Sequence, residues 1–261
     1  MRLALVCSAL ILTVVPASAQ DRPFLFLTTT AEKTKPAARF DYEVGVGEHA
    51  FQSDASNQPE QRFGVQATLG RMTFLGRFGI SDVGSSYQSS QSGEALYSLI
   101  EPGRRIALAA GGGMLHEAEG ANVLLARVIA GRNTDVSRLY GNLLFQKPMV
   151  ADRDAVDLIT SVGWARKLMH GVSLGVEAVG EDLEGFWDSE EAEGGARLLA
   201  GPSLHISPAK GRWQLTATGG PVFHPSDTGR ASSALRDLPP DTKSTSYAFR
   251  VSLSIGLAAD H

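Results

Sequence analysis

The chain has 261 residues, is 43% hydrophobic and 20% charged, and carries 24 Lys+Arg against 28 Asp+Glu for a net charge of −4. That balance leaves no basic footprint for nucleic acid, and beyond the first twenty positions no apolar run reaches the roughly 18 residues of a membrane-spanning helix. The 28 glycines and single cysteine point away from an ordinary helical domain and from a disulfide framework.

Residues 1–19 read as a secretory signal peptide. Arg2 is the basic region, 3–15 the apolar stretch, and Ala17, Ser18 and Ala19 follow Pro16 as the small-residue cleavage pattern. Cys7 lies inside this leader, so the mature chain is expected to contain no cysteine. Residues 20–38 do not alternate cleanly and hold Pro23 and Pro36. They are expected to form a periplasmic lead-in to a single domain over 39–261.

From there period-two patterning dominates. In 39–47, Phe40, Tyr42, Val44 and Val46 take one face while Arg39, Asp41 and Glu43 take the other. In 62–70, Phe63, Val65, Ala67 and Leu69 oppose Arg62, Gly64, Gln66 and Thr68. Weaker alternation predicts strands at 73–81, 94–100, 104–115, 122–131, 137–147, 156–166, 172–180, 196–207 and 213–223. The run 244–257 is the clearest, with Tyr247, Phe249, Val251, Leu253, Ile255 and Leu257 on one face; no 3.6-residue period accommodates it. About twelve strands result, most of the 9–12-residue length that a tilted strand needs to cross a bilayer.

The connections carry a second signal. Odd-numbered ones are expected to be long (50–61, 82–93, 116–121, 148–155, 181–195, 224–243) and even-numbered ones short (near 71–72, 101–103, 132–136, 167–171 and 208–212). Outer-membrane barrels place long loops outside and tight turns in the periplasm, which predicts that both chain ends are periplasmic. Aromatics on the apolar faces fall into two groups. Phe40, Phe74, Tyr97, Trp164 and Trp213 lie near the periplasmic ends, and Phe63, Phe145, Phe223 and Tyr247 near the outer ends. Two such girdles bracketing an aliphatic band suit the two interfaces of a membrane.

With these features the chain resembles the Gram-negative outer-membrane β-barrels: an all-β, up-and-down antiparallel transmembrane barrel. The stretch Thr28-Thr29-Thr30-Ala31-Glu32 running into Arg39-Phe40-Asp41-Tyr42-Glu43 is similar to outer-membrane channels linked to phenol and hydrocarbon degradation. The resemblance implies a monomer in outer-membrane lipid and lipopolysaccharide, inserted by the outer-membrane assembly machinery. The chain departs from the class at its end, which reads Gly256-Leu257-Ala258-Ala259-Asp260-His261 rather than closing on an aromatic.

Charges on barrel strands are costly toward lipid and belong inside. Arg39, Asp41, Glu43, Arg62, Arg77, Glu94, Arg105, Arg138, Asp157, Glu177, Arg197 and Arg250 are therefore expected to line the lumen, with Arg250 beside Asp41 and Glu43, and Glu177 near Arg197. His205 and Ser207 share a strand face, and outer-membrane lipid hydrolases resemble this His-x-Ser arrangement. Leu204 and Ile206, however, take the lipid face, and Pro208 puts the pair at the periplasmic end. The acidic run 181–193 lacks the ligand and glycine pattern of a calcium loop and reads as a solvated loop, or one sharing divalent cations with lipopolysaccharide. Gly111-Gly112-Gly113 lacks the Lys-Ser/Thr of a phosphate loop and reads as a place where backbones approach or the wall bends. No metal, cofactor or catalytic site is expected. The leading reading is a passive channel for small solutes. The alternatives are a closed structural or adhesive barrel acting through its loops, and a lipid-modifying hydrolase.

Overall fold

The structure, a computed structural model, describes residues 21–30, 36–47, 59–83, 86–100, 104–117, 120–149, 156–186, 196–208, 212–224 and 245–257. Twelve strands follow in chain order: β1 (Ala37–Gly47), β2 (Glu60–Leu69), β3 (Met72–Val83), β4 (Ser86–Ser98), β5 (Ile106–His116), β6 (Asn122–Asn133), β7 (Ser137–Pro148), β8 (Asp157–Met169), β9 (Val172–Glu181), β10 (Arg197–Ile206), β11 (Trp213–Phe223) and β12 (Thr245–Gly256). Each pairs antiparallel with its sequence neighbours, and β12 closes the barrel on β1, with Arg39 opposite Gly256 and Gly47 opposite Ala248. Closure leaves no strand edge unpaired.

One rim, the turn end, holds the start of β1, the end of β12 and the connections 70–71, 99–105, 134–136, 170–171 and 207–212. Gly70 and Gly171, at φ 60° and 75°, give two of these hairpins the left-handed residue they need. The other rim, the loop end, carries the remaining connections. Long and short connections alternate less strictly than expected, because 82–93 is not a loop. β4 begins at Ser86 and pairs with β3 along its whole length, Gly79 facing Ser90 and Ile80 facing Ser89. Ser, Gln and Gly supply no hydropathy contrast there, so the ladder is written in backbone bonds that patterning does not report.

Alternation sends one set of side chains out and the other in. On β6, Leu124 and Val128 are exposed while Val123, Leu125 and Ile129 are buried. Of the expected girdle residues, Phe74, Tyr97, Trp164 and Trp213 stand exposed on the outer wall toward the turn end, and Phe145, Phe223 and Tyr247 toward the loop end. Phe40 and Phe63 pack against each other with ring centroids 6.3 Å apart. At Gly111 and Gly113 a Cβ would lie 2.0 Å from the carbonyl oxygens of Ala95 and Gly93, so β4 and β5 approach as closely as these glycines permit.

The packed core lies inside the barrel. Leu75, Leu96, Ala109, Ile129, Tyr140 and Ala165 project inward from β3 to β8 and surround Phe24 and Leu27, which belong to none of the strands.

Candidate functional site

The charged lumen residues concentrate on the wall made by β12, β1, β2, β3 and β4. Register sets them as a staircase. Arg250 and Glu60 both lie opposite Gly45, Glu43 lies opposite Arg62, Arg77 opposite Gly64, and Arg39 opposite Gln66. Arg62 bonds Glu60 at 2.7 Å, Arg39 bonds Asp41 at 2.9 Å, and Arg250 reaches Glu60 at 3.3 Å and Glu43 at 3.7 Å. Arg250 thus meets Glu43 as expected but not Asp41, which is taken by Arg39 and Arg22. Glu94 receives two bonds from Arg127, at 2.7 and 3.0 Å, and has Arg77 at 3.7 Å.

On the opposite side, Arg197 pairs with Glu181 at 2.7 Å rather than with Glu177, because β9 and β10 place Arg197 beside Glu181 and Glu177 beside Gly201. Glu181, read from sequence as the start of the acidic loop, is therefore a buried lumen residue closing β9. Most of the remaining acidic run, with Trp187, lies outside the described residues. Asp157 is buried at the loop end of β8. Arg105 does not line the lumen. It precedes β5 in the turn-end connection and is exposed, because the strand begins one residue later.

Residues 21–30, expected as a lead-in outside the barrel, instead lie within it. Asp21 sits at the turn end, ion-paired with Arg138 and 2.6 Å from His205 Nε2. Its burial works against the charge, but the His205 contact and the Arg138 guanidinium together hold the carboxyl well below the usual carboxylate range. Arg22 reaches Glu43, lies 3.5 Å from Asp41, and donates to Ser252 Oγ at 3.1 Å. Desolvation disfavours its charge, yet the Glu43 and Asp41 carboxylates raise its pKa above the ordinary arginine value. The Leu25 and Phe26 N–H groups donate to the Glu177 carboxylate at 3.0 and 2.8 Å, and Thr28 exchanges two bonds with the Asn142 amide at 2.9 and 3.0 Å. Extended chain inside a barrel has no ladder of its own, so wall side chains satisfy its buried amides.

Apolar contacts complete the fit. Phe24 is fully buried, its ring 6.3 Å from that of Tyr140 at an interplanar angle of 59°. Gly163 makes the space: a Cβ there would lie 2.8 Å from the Phe24 ring and 3.0 Å from Leu27. Phe26 lies beneath Arg250, whose guanidinium carbon is 5.3 Å from the ring centroid.

Two of the cavities along this segment lie toward its opposite ends and share no lining residue. The turn-end cavity, about 220 Å³, is bounded by Asp21, Pro23, Arg138, His170 and His205. The loop-end cavity, about 140 Å³, has Arg22, Leu25, Phe26 and Thr28 among its lining, with Arg62, Arg77, Arg127 and Arg250 around it.

Several residues of this arrangement escaped the sequence reading. Arg127 is masked by its inward-facing neighbours Val123, Leu125 and Ile129, which make β6 look apolar on both faces. Glu60 falls just before the expected start of β2, and Asn142 and Tyr140 carry no motif. His205 turns inward as expected, but Asp21 and Thr216 Oγ1, at 2.6 and 3.0 Å, occupy its two ring nitrogens. Ser207 lies beyond β10, its N–H bonded to the Gly171 carbonyl at 2.7 Å. His205 and Ser207 line the same turn-end cavity, but the ring's hydrogen bond goes to Thr216 and none joins it to that hydroxyl, as an activated nucleophile would require. Among the described residues no cluster of His, Cys, Asp and Glu has metal-binding geometry.

No known protein family and no curated protein matches the sequence. Solved structures do match the fold. The KdgM porin in complex with disordered oligogalacturonate overlays with a TM-score of 0.57 at 8% identity, covering 85% of this chain and 99% of that one. OmpT, an outer-membrane protein of Vibrio cholerae, overlays at 0.40 and 11% identity over 87% of this chain and 99% of its own. A BenF-like porin from Pseudomonas fluorescens Pf-5 overlays at 0.38 and 10% identity, over 83% of this chain and 59% of its own. The KdgM match carries the comparison: the architecture is that of a porin-like barrel.

Proposed function

We propose that this protein is an outer-membrane channel for small solutes, closed in the conformation described here by its own N-terminal segment. The observation that supports the reading most directly is the contrast between the two surfaces of the wall. The outer face is aliphatic and aromatic, whereas the inner face carries arginines and acids along a polar lumen with cavities on either side of the segment. In this reading the monomer sits in outer-membrane lipid and lipopolysaccharide with its turn end toward the periplasm. Residues 21–30 are held by side-chain bonds and two apolar clusters, and in this reading their withdrawal joins the two cavities into a path.

The filled lumen also favours a second reading, a closed barrel with a structural role. Swelling of proteoliposomes in arabinose separates the two. The channel reading expects Phe24→Ser with Leu27→Ser to swell the vesicles markedly faster than the native chain. If neither protein exceeds empty liposomes, the channel reading fails and the closed barrel stands.

A further inference from the structure

The loop-end cavity is two-sided. Five guanidiniums line it, those of Arg62, Arg77 and Arg250 on the wall of β12, β2 and β3, of Arg127 on β6, and of Arg22 on the segment itself, and the carboxylates that meet them among the described residues are Glu43, Glu60, Glu94 and Asp41. Asp41 also serves Arg39, which lies nearer the turn end and does not line the cavity. With Arg39 counted, six arginines therefore share these four acids. Arg127 occupies both oxygens of Glu94, which leaves Arg77 a second partner at 3.7 Å and a bond to Thr28 Oγ1 at 3.2 Å. Arg77 is also the most open of these side chains, 36% exposed against 6% for Arg127 and Arg250. Excess positive charge in a confined, partly desolvated space attracts anions, and a guanidinium presents a planar fork suited to a carboxylate.

The facing side carries aliphatic residues interleaved with Gln146 and Ser161. Leu125, Leu144, Ile159 and Val179 project into the same cavity, over a floor that includes Leu25 and Phe26. Leu125, Ile159 and Val179 are already withdrawn from bulk water and present a dry surface to an apolar body.

From these two sides we infer that the loop-end cavity binds an amphipathic monocarboxylate, its head on Arg77 and its neighbours and its apolar body on the Leu144–Ile159 side. The inference deepens the channel reading, since the site lies in the same lumen, but it is tested by binding rather than by flux. The probes are hexanoate, 1-hexanol (the same body without charge) and succinate (charge without a body), titrated calorimetrically into the full-length protein in detergent. Hexanoate is expected to bind saturably, at least tenfold tighter than either of the others.

Arg77→Gln is expected to cost hexanoate about tenfold or more and to leave 1-hexanol unchanged. Ser92→Asp, directly opposite Arg77 on β4, gives that guanidinium an internal partner and should cost as much while every arginine stays in place. Equal binding of hexanoate and 1-hexanol, succinate binding as tight as hexanoate, or no loss in both variants would overturn the site. A protein that binds hexanoate yet never passes arabinose would overturn the channel reading and keep the site.

Discussion

Truncating Phe24 to Ala isolates the apolar half of what keeps the N-terminal segment in the lumen. Phe24 is fully buried among Tyr140, Ile129 and Ala165, and its loss leaves a cavity that no strand can close, because the barrel wall is fixed by its ladder. Phe→Ala in a packed core costs about 3–5 kcal/mol. The lower end applies to a short segment that can partly refill the space, and about 3 kcal/mol is roughly a hundredfold in the ratio of docked to undocked segment. The assay is amide hydrogen exchange. The N–H groups of Arg22, Leu25, Phe26 and Thr28 are bonded to the side chains of Gln214, Glu177 and Asn142, so their protection reports docking. Phe24→Ala should speed exchange of residues 22–28 by about two orders of magnitude while β6, β7 and β8 keep theirs. Unchanged exchange in the segment would show that Phe24 does not hold it in the lumen. So would equal loosening of those strands, which would make the segment part of the barrel's global stability.

Gly163→Val attacks the same contact from the wall. Its side chain enters the space of Phe24 and Leu27, so 22–28 should exchange faster with no change to the segment's own sequence, and an unchanged exchange profile would mean that the contact does not hold it. Orientation is read with cysteines at exposed rim positions. A membrane-impermeant maleimide on intact cells should label His116→Cys, at the loop end of β5, and spare Asp135→Cys, in the β6–β7 turn. The reverse pattern would invert the barrel, and labelling of neither on intact cells would place the protein away from the cell surface.

The barrel itself was largely legible. Alternation such as Tyr247, Phe249, Val251, Leu253 and Ile255 against Ser252, Ser254 and Arg250 fixes faces, and faces fix which charges turn inward. What escaped had physical reasons. β4 starts in a Ser/Gln/Gly stretch whose two faces are equally polar. Arg105 has the right parity for the lumen but sits one residue outside its strand, and boundaries are where patterning is weakest. The N-terminal segment was missed because Phe24-Leu25-Phe26-Leu27 is a short apolar run after Pro23 with no period at all. A complementary sign was nonetheless present. β6 carries apolar residues on both faces, and Leu75, Leu96 and Tyr140 also occupy inward positions. Apolar groups facing a lumen call for something to cover them, and the nearest apolar run outside the strands is this one. The pairing of Arg197 with Glu181 needed the register of β9 and β10, which sequence alone does not set.

If residues 21–30 close a conducting lumen, a removable tether on the segment should hold that lumen shut. The reciprocal bonds of Thr28 and Asn142 place the segment against β7, and a disulfide between cysteines at these two positions would fix it there. Single-channel recordings of Thr28→Cys/Asn142→Cys in a planar bilayer would compare the oxidised and reduced protein. The oxidised form should stay closed, and a reductant should restore discrete openings like those of the native chain. Identical conductance in the two states, once the disulfide is verified, would contradict closure by the segment.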